Sequence, residues 1–204
     1  GLAMLERNIE RISFLARSLL GFSKGEAPEV LLVDPVELVT EIVDLYSDAT
    51  EKDKIDIRLH APAPIAPIAI DKEKMHSCLA NLVSNAIDAC QMSDKTECSV
   101  TVRCYEKDEA VVFEVEDEGC GMDYEIKKKA FTTFFTTKGK GGTGLGLLLT
   151  RKIVQEHGGK ITCDSTPNEG TVFKLVFPRK QLPIPAGKDT INNDHHSDPE
   201  RRMK

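Results

Sequence analysis

Apolar residues at the start of the chain recur with the spacing of one helix face. They follow one another at intervals of three and four residues, at Leu2, Leu5, Ile9, Ile12, Ala16 and Leu19. This spacing is typical of the seam of a helical bundle or coiled coil, and Gly25 and Pro28 end the helix. We expect residues 1–26 to contribute one helix to an intermolecular bundle. The alternative is a helix that packs on its own domain.

Three later segments are predicted to be helices. The segment from Pro35 to about Asp53 has apolar residues on one face, at Leu38, Ile42 and Leu45. Asp71 is a suitable cap for a second helix, which runs to about Cys90. The sequence LGLLLTRKIVQEH forms the third.

The remaining patterned segments are predicted strands. IDIRLHA alternates, PAPIAPIAI becomes extended after its prolines, CSVTVRCYE and AVVFEVED form a hairpin around KDE, and GKITCDS and GTVFKLVFP are two more strands. Strands interleaved with helices predict a two-layer α/β sandwich with a mixed sheet. This domain extends over residues 30–180, and the polar residues 181–204 are expected to be disordered.

Composition narrows the class of protein. The 204 residues are 40% hydrophobic and carry a net charge of −6, so a broad surface for nucleic acid is not expected. No apolar run reaches the roughly 18–20 residues of a membrane span, and we expect a cytoplasmic fragment without membrane contact, whose parent protein is either soluble or anchored elsewhere. No cysteine pair has C-x-x-C or zinc spacing, so reduced, mostly buried thiols are expected at Cys78, Cys90, Cys98, Cys104, Cys120 and Cys163.

The segment NLVSNAIDA places polar residues on one stripe of a helix. Asn81, Asn85 and Asp88 are spaced i, i+4 and i+7, with apolar residues between them. A solvated face would be the plain explanation, but such faces usually carry Lys and Glu. An amide oxygen is a hard ligand that suits a magnesium ion, which retains most of its waters. The stripe therefore predicts a polar site.

Two glycine-rich segments could contact a ligand. In VEDEGCGMD a strand ends at Asp117, whose carboxylate could accept from an exocyclic amine, and Gly119 and Gly121 would let a ligand approach the backbone. From Gly142 to Gly146 glycines alternate with other residues and a helix follows, which is an arrangement that binds phosphate. The span from about residue 121 to 142 has weak periodicity, and we expect a lid rather than a plain flexible linker.

These segments together resemble the boxes of sensor histidine kinases. NLVSNAIDA, DEGCGMD, FTTFFTTKG, GTGLGL and HGGKI…GTVF occur in that order, like the N box, first glycine box, F box, second glycine box and closing hairpin. The same superfamily includes DNA gyrase, MutL and the heat-shock chaperone ATPases. The resemblance covers about residues 30–178. The first helix, ending LLGFSK, resembles the second helix of the kinase dimerisation bundle.

The resemblance implies three helices on a five-stranded mixed sheet, the Bergerat-type ATP-binding fold, with ATP and Mg²⁺ as cofactors. It implies that Asn85 holds magnesium, that Asp117 binds the adenine amino group, and that Phe134 and Phe135 anchor the lid. The residues expected to contact ATP are Asn85, Asp88, Ala89, Asp117, Gly119, Gly121, Met122, Phe135, Lys138, Gly142, Thr143, Gly144, Leu145, Gly146, Leu147 and Thr171.

Three departures from the family pattern qualify this expectation. Asp88 stands where many of these kinases carry a Lys or Arg that touches phosphate. Asn81, the candidate catalytic residue, stands where the hydrolytic relatives carry a glutamate base, and an amide cannot take a proton at neutral pH. None of the five histidines lies in a bundle helix, and His76 and His157 are expected to be structural. The phosphoacceptor helix is therefore expected to precede this chain in a longer protein.

The leading hypothesis is the ATP-binding catalytic region of a two-component sensor histidine kinase. Its parent would dimerise through the first helix, phosphorylate a bundle histidine and pass the phosphoryl group to an aspartate on a response-regulator receiver domain. A nucleotide-binding regulatory or scaffold module without phosphotransfer, and an anti-sigma-type serine kinase, are the alternatives.

Overall fold

The computed structural model describes residue 9 and residues 28–50, 54–132 and 145–185. Apart from residue 9, the predicted bundle helix lies outside the described residues, as do residues 133–142 of the predicted lid and residues 186–204 of the polar tail. Five predicted ATP contacts also lie outside them, namely Phe135, Lys138, Gly142, Thr143 and Gly144.

The described chain contains four helices and seven strands. The helices are α1 (Pro35–Thr50), α2 (Lys72–Gln91), α3 (Tyr124–Lys129) and α4 (Gly146–Glu156), and a 3₁₀ turn covers Arg179–Gln181. The strands are β1 (Leu31–Val33), β2 (Ile55–His60), β3 (Ile68–Ile70), β4 (Cys98–Lys107), β5 (Ala110–Asp117), β6 (Lys160–Thr166) and β7 (Gly170–Pro178).

Five strands form the main sheet in the order β2-β4-β5-β7-β6. Strands β2 and β4 are parallel and the other pairs are antiparallel, so the predicted five-stranded mixed sheet is confirmed. The three predicted domain helices correspond to α1, α2 and α4, and the short α3 is a fourth. A two-stranded sheet of β1 and β3 was not predicted, because a three-residue strand is too short for its alternation to be recognised.

One face of the main sheet, called the inner face here, packs against the helices. Its side chains come from alternating positions of β4, β5 and β7, among them Val102, Phe113 and Leu175, which are fully buried. On α2, Met75, Leu79 and Leu82 are buried against this face. The alternation of the strands and the helical period of α2 therefore meet in a single apolar layer.

The predicted apolar face of α1 needs one correction. Leu38 and Ile42 are fully buried, but Leu45 is 43% exposed. The buried position in the next turn is Tyr46, whose hydroxyl donates to the Ala80 carbonyl over 3.4 Å. Four-residue steps along the helix thus continue the buried stripe, and a tyrosine with a polar partner takes the place that the sequence analysis gave to leucine.

The outer face of the sheet is covered by paired charged and polar side chains rather than by a second layer of described helices. The Glu114 carboxylate is buried beneath its neighbours, with Arg103 Nη1 at 2.8 Å, Lys174 Nζ at 2.9 Å and the Tyr105 hydroxyl at 3.1 Å. Burial opposes ionisation of Glu114, but these donors hold the pKa of the carboxyl below its usual value. The polar partners explain why this strand is buried on both faces without a helix on each.

His157 joins the end of α4 to the start of α2. Its ring is fully buried. Nε2 accepts from the Asp71 backbone N–H at 3.1 Å, and Nδ1 lies 2.7 Å from the Ile153 carbonyl. A backbone N–H can only donate, so the ring carries its proton on Nδ1 and donates it to Ile153. The expectation that His157 is structural is confirmed.

The cysteine prediction was wrong at one pair. Cys90 and Cys98 form a disulfide with their Cα atoms 5.7 Å apart, while the other four cysteines are free. Cys90 lies at the end of α2 and Cys98 begins β4, so the chain returns from the helix to the sheet within eight residues and brings the two sulfurs together. No spacing motif marks such a pair, because the fold creates the proximity.

We expect reduction of this disulfide to lower the free energy of unfolding by about 2–3 kcal/mol, because a cross-link over a short loop restricts the unfolded chain. Urea unfolding with and without a dithiol reductant measures the difference. The Cys90→Ser/Cys98→Ser double variant should not respond to reductant. Titration of the unfolded, unreduced protein should find four thiols, and six would contradict the pairing.

Replacement of His157 by phenylalanine should lower the free energy of unfolding by about 2–4 kcal/mol, because the Asp71 N–H and the Ile153 carbonyl both lose a buried partner. His60→Ala, at an exposed histidine of β2, is the matched control and should change stability by less than about 0.5 kcal/mol. Equal urea midpoints for the two variants would contradict the structural role of His157.

Candidate functional site

The inner face changes from apolar to polar at one end of the sheet. Asp117, Thr171 and Ser165 are aligned as direct partners across β5, β7 and β6. We call these three residues the polar row. The row two residues further along the strands is apolar apart from one thiol, and consists of Val115, Phe173 and Cys163. Because opposed residues point to the same side of a sheet, the three polar side chains lie together.

Asp117 carries a buried carboxyl, with 5% of its surface exposed. It accepts a hydrogen bond from the Gly119 backbone N–H at 2.9 Å and another from the backbone of Thr171. Burial nevertheless raises the pKa of Asp117 from 3.8 to about 6. The folded protein therefore binds more protons than the unfolded chain in this interval, and the stability that this group contributes falls as the pH rises from 3.8 to about 6.

The glycines after Asp117 are required by contacts within the protein. A Cβ on Gly119 would lie 2.5 Å from the Ala89 carbonyl carbon, and one on Gly121, where φ is +63°, would lie 2.0 Å from the Thr166 carbonyl oxygen. The Cys120 N–H donates to the Ala89 carbonyl at 3.1 Å. The loop that follows β5 is thus held between the end of α2 and the hairpin of β6 and β7.

That hairpin holds the same loop from the other side. The Met122 N–H donates to Ser165 Oγ at 2.8 Å, and the Asn168 N–H donates to the Cys120 carbonyl at 2.8 Å. Gly170 has φ +133°, and its Cβ would lie 1.9 Å from the Asp117 carbonyl oxygen. Asp117, Gly119, Gly121, Met122 and Thr171, which the sequence analysis selected, are therefore brought into one small region.

The start of α4 forms the second part of the candidate site. Leu145 is its N-cap residue and makes no side-chain cap hydrogen bond. Gly146 packs so closely on α2 that a Cβ there would lie 2.5 Å from Asn81 Oδ1. The N–H groups of Gly146 and Leu147 are in the first turn of an 11-residue helix. The first N–H groups of a helix have no partner within it, and they suit an anion.

Asn81 is committed to a contact within the protein. Its side chain is buried, and Nδ2 donates to Thr150 Oγ1 at 3.1 Å. Asn85, Asp88 and Ala89 on the same helix are half-buried. The predicted stripe is thus divided, because Asn81 ties α2 to α4 while the other residues lie nearer the surface. Ala89 then meets the loop after β5, so both parts of the site are attached to α2.

The residues present fit a magnesium ion that is held mainly by a nucleotide. No group of three or more His, Cys, Asp or Glu side chains in the described ranges could hold a metal on its own. The half-buried Asn85 offers a hard amide oxygen. Magnesium is usually bound by one or two protein ligands together with phosphate oxygens and waters. One amide ligand therefore suits an ion that arrives with a polyphosphate.

Two residues near the lid and one in the polar row were missed by the sequence analysis. The Phe131 ring meets Phe173 edge-on, with ring centroids 6.2 Å apart, and the Arg151 guanidinium lies 5.8 Å from the Phe131 centroid. The described start of the lid is thus anchored on the inner face and α4. The alternation along β6 could have predicted that Ser165 points to the inner face. Its neighbours could not have been predicted, because they are set by the pairing of the strands.

Comparison with known proteins places these features in a family. A profile described as "Histidine kinase-, DNA gyrase B-, and HSP90-like ATPase" matches residues 70–181. The signal transduction histidine-protein kinase AtoS of Escherichia coli (strain K12) is 31% identical over 191 residues, which cover 93% of this chain and 30% of AtoS. The sensor kinase CckA of Brucella abortus (strain 2308) is 34% identical over 189 residues, covering 86% of this chain and 20% of CckA.

Solved structures agree with this assignment. The catalytic domain of histidine kinase ThkA has a TM-score of 0.64 and 32% identity, covering 74% of this chain and 96% of that domain. The structure of ThkA in complex with response regulator protein TrrA has a TM-score of 0.67 and 27% identity, covering 86% of this chain and 49% of the other.

The chain belongs to the histidine kinase-, DNA gyrase B- and HSP90-like ATPase family. Within that family its named relatives are sensor histidine kinases, and it carries the ATP-binding catalytic domain of this class. The chain spans less than a third of the length of either curated relative described above. In the part of the chain that the structure describes, no helix is both long enough and apolar enough to cross a bilayer.

Affinity for adenosine should rise about tenfold between pH 5 and pH 7.5, because the ionised Asp117 is the stronger acceptor for an amino group and a pKa of about 6 leaves roughly one tenth ionised at pH 5. Adenosine is the probe because it has no phosphate to titrate. Chemical-shift titration measures the affinity. The Asp117→Asn variant should bind adenosine weakly at both pH values. Tighter binding of adenosine by the wild type at pH 5 than at pH 7.5 would contradict the role of Asp117 as acceptor for the adenine amino group.

Proposed function

We propose that this chain binds ATP with the adenine amino group at Asp117, the phosphates at the start of α4 and a magnesium ion at Asn85. We further propose that it transfers the γ-phosphate to a histidine on a bundle helix, from which the phosphoryl group passes to an aspartate of a response regulator. The observation that supports the nucleotide most directly is the buried carboxylate of Asp117, fixed by two backbone donors in a row of polar side chains.

Adenine recognition follows from what Asp117 can still accept. A carboxylate has about four lone-pair positions, and the backbone groups of Gly119 and Thr171 use two of them. An exocyclic amine supplies a further donor without introducing a charge into a buried site. The apolar row beside it, with Phe173 and the half-buried Met122 nearby, would cover the flat faces of the base.

The phosphate end would be stabilised by dipoles and charge rather than by covalent chemistry. The first N–H groups of α4 would face the phosphates, and Lys138 would add a positive charge from the lid. Asn85 would hold magnesium, which supplies charge neutralisation between phosphate oxygens. Phosphoryl transfer depends mainly on positioning and on stabilising the charge of the transferred group. These residues would supply both functions.

Transfer is favoured over hydrolysis by the residue at position 81. Asn81 cannot take a proton from water, and its amide already donates to Thr150. A water molecule near the γ-phosphate would therefore find no general base in this side chain. Asn81 would instead hold α4 in place beneath the phosphates, which is a positioning role in place of the catalytic one first considered.

Partners are inferred from the class of protein. ThkA has been solved in complex with a response regulator protein, and we infer that a receiver domain accepts the phosphoryl group here as well. The seam of residues 1–26 would form a homodimer in the parent protein, and a cytoplasmic location would give access to both ATP and the receiver domain. A regulatory module, the alternative hypothesis, would bind the nucleotide without transferring its γ-phosphate.

We expect Asp117→Asn to weaken binding of Mg·ADP by about 10- to 100-fold, because a charge-assisted hydrogen bond contributes about 1.5–3 kcal/mol. Calorimetry measures the affinity. Glu116→Gln is the matched control, since Glu116 is the adjacent acid and pairs with Arg103 at 2.5 Å on the opposite face of the sheet. Equal loss in both variants, or equal affinity of the wild type for GDP, would remove Asp117 from this role.

Transfer itself is tested in a protein in which a histidine-bearing dimerisation helix precedes this chain. With γ-labelled ATP and magnesium, acid-labile phosphate should form on that histidine and then move to a receiver domain. Nucleotide binding without labelled protein would support the regulatory module instead, and acid-stable label on a serine of a partner would support the serine-kinase alternative.

A further inference from the structure

Ser165 makes three polar contacts through a single oxygen atom. Its Oγ lies 2.8 Å from the Met122 backbone nitrogen, 3.0 Å from the Gly170 carbonyl oxygen and 3.0 Å from Thr171 Oγ1. The side chain is half-buried and points to the inner face, next to Thr171 in the polar row. Its hydroxyl thus connects the loop after β5, the hairpin turn and the threonine beside Asp117.

These distances fix the direction of each hydrogen bond. The Met122 N–H can only donate, so it occupies one lone pair of Ser165 Oγ. The Gly170 carbonyl can only accept, and two oxygens 3.0 Å apart repel unless a proton lies between them, so the Ser165 proton points to Gly170. The proton in the remaining contact must then come from Thr171. Ser165 has no second proton to donate.

Thr171 is therefore left with its lone pairs directed away from Ser165. A hydroxyl normally rotates to donate or accept as its surroundings require, but this one has its proton engaged. We propose that Ser165 is a specificity-determining positioning residue, which holds the Thr171 hydroxyl as an acceptor beside the Asp117 carboxylate so that the site selects a 6-amino purine over a 6-oxo purine. This inference rests on the proposed placement of adenine at Asp117.

The chemistry of the two purines explains the selection. Adenine presents an amino group at position 6, with two protons that can meet two acceptors, whereas hypoxanthine and guanine present a carbonyl oxygen there. A pocket with only acceptors repels that oxygen. If the Thr171 hydroxyl were free to rotate, it could donate to the 6-oxo group and reduce the difference. A polar group that is left unpaired or opposed in a buried site discriminates between ligands more strongly than the gain or loss of an apolar contact.

The test compares ADP with inosine diphosphate, which differs from it only at position 6 and in the resulting proton at N1. Calorimetry gives the ratio of the two affinities for each protein. Ser165→Ala should lower the ratio of the ADP affinity to the inosine diphosphate affinity about tenfold. In the variant the Thr171 hydroxyl can donate to the 6-oxo group, so a repulsive contact becomes a hydrogen bond. The ratio does not depend on the fraction of active protein, so partial loss of fold in the variant does not affect it.

Two further variants separate this role from simple packing. Thr162→Ala removes a hydroxyl from the exposed face of the same strand and should leave the ratio unchanged. In a Thr171→Val background, Ser165→Ala should produce no additional change in the ratio, because the effect requires the Thr171 hydroxyl. Equal weakening of both nucleotides by Ser165→Ala, or the same narrowing in the Thr171→Val background, would overturn the inference.

The wild-type and Asp117→Asn proteins distinguish failure of this inference from failure of the proposed site. A wild type without preference for ADP, together with an Asp117→Asn variant of unchanged affinity, would overturn the placement of adenine itself. A clear wild-type preference that depends on Asp117 but not on Ser165 would overturn only the role of Ser165.

Discussion

Burial of one carboxylate is the constraint on which the site depends. An acid at the end of β5 is taken out of water and remains tolerable because two backbone donors meet it. Those donors are present only when Thr171 lies opposite Asp117 in register and when the chain turns tightly enough for Gly119 to reach back. A shift of β7 by one residue would move Thr171 to the outer face and remove its backbone donor from Asp117.

Helix α2 sets the distance between the two halves of the site. Its residue Asn81 holds α4, and Ala89 holds the loop after β5. These residues are eight positions apart, which is about 12 Å along a helix, the scale of an extended nucleotide. The helix is fixed at both ends, by the His157 contact with Asp71 and by the disulfide at Cys90. A change at either end would therefore alter the spacing between the loop after β5 and the start of α4.

The sequence predicted most of the architecture because the strands and helices carry clear periods. The hairpin of β4 and β5, the Asp71 cap and a mixed sheet were predicted correctly from these patterns, and the number of five strands came from the resemblance to sensor histidine kinases. Other features depend on contacts between distant residues. The disulfide, the exposure of Leu45 and the short β1 strand are decided by packing partners that no local pattern identifies.

The same distinction applies within the candidate site. Asp117 and Thr171 were selected from motifs, whereas Ser165 and Thr150 act through partners on other elements. The glycines at 119 and 121 were selected for the approach of a ligand, yet the space beside their Cα atoms is filled by the protein's own backbone. A residue type in a motif thus indicates where a site lies. It does not indicate whether that residue meets the ligand or supports the residues that do.

Selectivity at such a site depends on protons as well as on the positions of heavy atoms. Replacing the Ser165 hydroxyl can leave the oxygens of Asp117 and Thr171 in place and still convert the Thr171 hydroxyl from an acceptor into a donor. Ser165 accepts from one backbone group and donates to another, so its own direction is set by the fold and not by the nucleotide. The backbone geometry of the hairpin is transmitted through that hydroxyl to Thr171, and the folded chain thereby determines the hydrogen-bonding character of its pocket before any ligand arrives.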